Sequence, residues 1–96
     1  MVATSIADLD PGQLAQLLFA GPVQPSEQPS PAAIRMALAA QFRLCQGDLA
    51  AALAVVAQEA GDHPDSYAAR MRWAIGAVGR AFAGRPGNRV AVGRAA

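Results

Sequence analysis

Ninety-six residues suffice for one domain with a single modest core, and 16% charged residues at a net charge of +1 exclude a highly charged disordered chain. Apolar residues make up 53%, but 24 of those 51 are alanine, so the larger apolar side chains fill one core and not two. Alanine favours helix, while proline, serine and glycine gather at 21–31 and 84–93; this excludes a β protein and points to an all-α fold.

The single cysteine, Cys45, forms no internal disulfide and asks for no oxidising compartment. The opening MVATSIADLD lacks a basic stretch followed by an apolar one, so it does not read as a signal peptide. The longest apolar run, LAAALAVVA, has nine residues, against the roughly 20 that a membrane span needs. A cytoplasmic, soluble protein is the resulting expectation.

Four helices are expected, in a single helical domain over 1–83 followed by a flexible basic tail over 84–96. The first starts at Asp10, an N-cap followed by Pro11 at the first helical position, with Gln13 completing a capping box. Leu9 and Leu14 form a hydrophobic staple, Leu14, Leu17 and Leu18 form its buried stripe, and Gly21-Pro22 ends it. The connector GPVQPSEQPSP, residues 21–31, holds four prolines and is semi-extended, which leaves this short first helix detached.

Ser30 caps the second helix with Pro31 at its first position, and Ile34, Ala37, Leu38, Gln41, Phe42 and Cys45 share a face. Gly47 stops it and Asp48 starts the third helix almost at once, so the second and third are expected to form a hairpin. Leu49, Ala52, Leu53, Val56 and Ala60 line one side of the third, which ends at Gly61. The fourth and longest helix runs from His63-Pro64 to about Ala83. Tyr67, Met71, Ala74, Ile75, Val78 and Phe82 form its apolar stripe.

Catalytic chemistry finds little support. Asp62-His63-Pro64-Asp65 has the makings of a helix start, with a cap, a proline and a carboxylate near the positive end of the dipole. One histidine and one cysteine do not make a metal site, which takes three or four convergent ligands. The chain shows no phosphate loop or nucleophile elbow, and Ser5, Ser26, Ser30 and Ser66 sit in terminus, connector or cap positions. The expectation is a non-enzymatic protein with no cofactor, no metal and no small-molecule substrate.

Charge is unevenly placed. Residues 1–63 set Arg35 and Arg43 against six acids, whereas residues 64–96 hold six arginines against Asp65 alone. Such asymmetry marks a nucleic-acid or acidic-partner surface, or halves that neutralise one another in the fold or in a head-to-tail oligomer. The second and third helices resemble a helix-turn-helix in outline, over about thirty residues. The would-be reading helix LAAALAVVAQEA has no arginine, lysine or asparagine to contact bases or phosphates. No ~34-residue period recurs, which excludes a tetratricopeptide array.

Trp73 carries the strongest functional signal, its face being covered either by another helix of the same chain or by another molecule. On a helical wheel of about 100° per residue it stands far from the stripe of Met71, Val78 and Phe82, flanked by Ala69, Gly76 and Arg80. Tryptophan and arginine are favoured anchors at protein interfaces. The reading is therefore a small interaction module, accessory or regulatory, that self-associates through Trp73, Arg72, Arg80, Ala69 and Gly76. The alternative is weak nucleic-acid binding through the fourth helix and the tail arginines Arg85, Arg89 and Arg94.

Overall fold

The computed structural model describes residues 5–83. Among them are four α-helices and no strand: α1 (Pro11–Ala20), α2 (Pro31–Leu44), α3 (Ala50–Asp62) and α4 (Pro64–Ala81). The expected helix starts have their physical basis in hydrogen bonds. Asp10 Oδ1 accepts from the Gln13 N–H at 2.7 Å while Gln13 Oε1 accepts from the Asp10 N–H at 2.9 Å, closing the capping box. Ser30 Oγ accepts from the Ala33 N–H at 3.1 Å, and Pro11, Pro31 and Pro64 each occupy a first helical position. Within the connector, Pro25–Glu27 form one 3₁₀ turn.

Two boundaries differ from expectation. Gly61 does not end α3, which continues to Asp62; His63 then serves as the junction between α3 and α4. Its side chain makes no capping bond but meets Glu59 Oε1 through Nδ1 at 3.2 Å. Asp48 acts slightly before α3, accepting from the Ala50 N–H at 2.9 Å.

The first helix is central rather than detached. α1 packs against all three other helices and most extensively against α4. Five of its ten residues, Leu14, Ala15, Leu17, Leu18 and Phe19, are buried. The reason lies in its composition: its apolar residues occupy more than one face, and such a helix is stable only when covered on several sides. Between α2 and α3 the tight turn is present, with Gln46 and Gly47 both at positive φ, 55° and 78°. Beyond that turn the two helices pack on α1 and α4 rather than along each other.

The buried face of α4 also lies elsewhere than the large side chains suggest. Ala74, Ala77, Val78 and Ala81 are its buried residues, while Ile75 is 58% exposed, against the expectation that it belongs to the core. Three of the four are alanines, which let α4 lie close to its neighbours. On the wheel this moves the centre of the buried face by about 60°, toward Arg70 and Trp73 and away from Ile75. Leu53 of α3 is likewise outside the core, at 44% exposure.

Leu17 has no exposed surface and belongs to the helix that packs against all three others. Leu17→Ala should therefore lower the unfolding free energy by roughly 2–5 kcal/mol, read from urea denaturation, whereas Leu53→Ala should change it far less.

Candidate interaction surface

Arg70 lies near the middle of the buried side of α4 and reaches across to the end of α1. Its Nε donates to the Phe19 carbonyl at 3.0 Å, and its Nη2 donates to the carbonyls of Gly21 at 3.1 Å and Val23 at 2.9 Å. Nη1 meets Gln24 Oε1 at 3.4 Å. A helix leaves its last carbonyls without intrahelical partners, and here a cation supplies donors at the negative end of the dipole. The guanidinium also lies between two rings, 5.4 Å from the centroid of Phe19 and 5.2 Å from that of Trp73. Burial holds the Arg70 pKa below the ordinary arginine value.

This arrangement relocates Trp73. It stands on the flank of α4, half-buried against the core and covered on one side by Arg70, rather than on the face opposite the core. Ala69 is exposed and Gly76 half-buried, and Arg72 and Arg80 are exposed on the same side of the helix. Gly76 is not an open approach site in this chain: a Cβ there would lie 3.3 Å from Arg80 Nη1, so the Arg80 side chain folds back over it. The five residues do share one flank, but much of it is already covered by the chain's own arginines.

The other basic candidates, Arg85, Arg89 and Arg94, lie outside the described residues, as does the expected tail. Among the described residues no arginine bridges to a carboxylate; the one ion pair is His63 with Glu59, one helical turn apart. Direct pairing therefore does not neutralise the acidic and basic halves there. No group of three His, Cys, Asp or Glu side chains gathers at a metal-binding spacing among those residues. No helix among them is long and apolar enough to cross a membrane.

Sequence reasoning passed over the outward side of α3. Only Ala52 of its thirteen residues is buried, although no charge occurs from Ala50 to Gln58. Its inward side carries Ala52, Val56 and Ala60, and the outward flank that begins beside Ala60 carries Leu53, Ala57, Ala50 and Ala54, all four exposed. A third side faces a cleft of about 320 Å³ formed with α4 and the connector, to which α3 contributes Val55 and Glu59. The signal was the uninterrupted apolar run itself, since a helix apolar all round is normally covered all round. Compared with protein-family models, with curated proteins and with solved structures, the chain matches none.

Trp73 is the chain's sole tryptophan, so its fluorescence reports on the Arg70 stack alone. Arg70→Ala should shift its emission to the red and make it more open to quenching. The loss of four contacts to oxygen should also lower stability by about 2–4 kcal/mol in thermal unfolding. Arg70→Lys should recover only part of this, because an ammonium reproduces neither the planar fork nor the stacking.

Proposed function

We propose that this chain is a small, non-catalytic helical interaction module that associates with a second copy of itself, using the outward face of α3. The supporting observation is the mismatch on that helix, which is uncharged from Ala50 to Gln58 yet exposes Ala50, Leu53, Ala54 and Ala57. Three alanines let a facing helix come close, and Leu53, 44% exposed, supplies the apolar side chain to insert.

A second copy suits this face for an electrostatic reason. Across a two-fold axis the same patch meets itself, so any charge on it would meet its like. These four residues carry none. The Trp73 flank is less suited to self-pairing, because Arg72 and Arg80 would face their own copies and the Arg70 stack already occupies the indole.

Sedimentation velocity over a range of concentrations separates the two faces. Leu53→Glu should leave the chain monomeric at concentrations where the wild type associates, with far-UV circular dichroism unchanged. Trp73→Ala should lower the melting temperature but preserve association. An unchanged sedimentation profile for Leu53→Glu would remove α3 as the contact face. Loss of association in Trp73→Ala at full helicity would move the contact to α4.

A further inference from the structure

We propose that the cleft between α3, α4 and the connector receives a guanidinium group on an apolar stem, the arginine side chain of a protein partner. This site stands apart from the self-association face, since Val55 and Glu59 lie on a different side of α3 from Leu53 and Ala57. Its walls are Phe19, Tyr67 and Val55, and its polar groups come from Glu59, Ser66, Gln24 and Arg70. The rings of Phe19 and Tyr67 are tilted at 55° with centroids 5.7 Å apart. The volume of about 320 Å³ is at the small end for a ligand pocket and fits one side chain rather than a folded segment.

The sign of the ligand's charge follows from which polar groups are free. Among the described residues Arg70 is the only cation lining the cleft, and its donors are directed at the carbonyls of Phe19, Gly21 and Val23 and at Gln24 Oε1. Nε and Nη2 are held by the carbonyls at the end of α1 and the start of the connector, which leaves an anion only the Nη1 donors, one of them turned to Gln24 at 3.4 Å. Glu59, by contrast, has a side chain 40% exposed and is engaged only by His63, itself 61% exposed. A planar cation pairs with such a carboxylate through two parallel N–H···O bonds. The Tyr67 ring gives it a π face, and Val55 and Phe19 give its methylene stem an apolar wall.

The test uses the isotope-labelled full chain, titrated with n-butylguanidinium and followed by amide chemical shifts. The neutral isostere n-butylurea, with the same stem, serves as the comparison. Saturable shifts centred on Glu59, Ser66, Tyr67 and Gln24 are expected, with Glu59→Gln weakening the affinity about tenfold and n-butylurea binding correspondingly weakly. Equal affinity for the two probes, an undiminished response in Glu59→Gln, or shifts centred elsewhere would overturn the proposal. Glu59 is partly exposed and the glutamine keeps its shape, so this variant should fold. Repeating the titration in Leu53→Glu separates the cleft from self-association, because the cleft should respond equally in a chain that does not associate.

Discussion

The end of α1 depends on one side chain from the opposite end of the sequence. Arg70 binds the Phe19 carbonyl across 51 positions and joins it to the carbonyls of Gly21 and Val23, so the helix terminus, the start of the connector and α4 meet at one guanidinium. Phe19 and Trp73 enclose that group, reducing its contact with water and strengthening each bond it makes. Desolvating a cation is costly, and the carbonyl oxygens are what make it tolerable at this position. The pose of Trp73, the floor of the cleft and the path of the connector all follow from it.

A second arginine does related work at the other end of α4. Arg35 of α2 donates to the Ala81 carbonyl at 2.8 Å, supplying a donor to the last residue of the longest helix. Arg35 and Arg70 are thus used to close helix ends rather than to pair with carboxylates. That is a physical account of why an arginine-rich second half holds no arginine–carboxylate bridge among the described residues. It also bears on the cleft, where Glu59 keeps a carboxylate that no arginine of the described chain claims.

Local signals were the readable part of the sequence. Helix starts at Asp10, Ser30 and Pro64 depend on residues within one turn of each other, and all three are found. The stripes of α1 and α2 were also legible, because Leu14, Leu17, Leu18, Ile34, Leu38 and Phe42 are large and regularly spaced. Alanine-rich helices were harder. The expected stripe of α4 held Ala74, Val78 and Phe82, which are buried, together with Ile75, which is not, whereas packing adds Ala77 and Ala81, which gain more from close approach than from their own area. Ile75 was misplaced for that reason, and Trp73 was set too far from the core. Arg70 was legible only as a charge; its role rests on contacts about fifty residues distant, which no local pattern encodes. The same distance hid the central place of α1.

That separation has a kinetic consequence. α1 has ten residues, too few to persist as an isolated helix in water, so it must form together with the surface that covers it. Its most extensive contacts are with α4, roughly fifty positions away, and helical proteins owe their speed to short-range contacts. Folding should therefore be slower than for an up-and-down bundle of the same size, with α4 and its neighbours collapsing before the first helix locks into place. On a ribosome the order is stricter still: α1, which lies at the centre of the described residues, emerges before α4 and waits for it to be made.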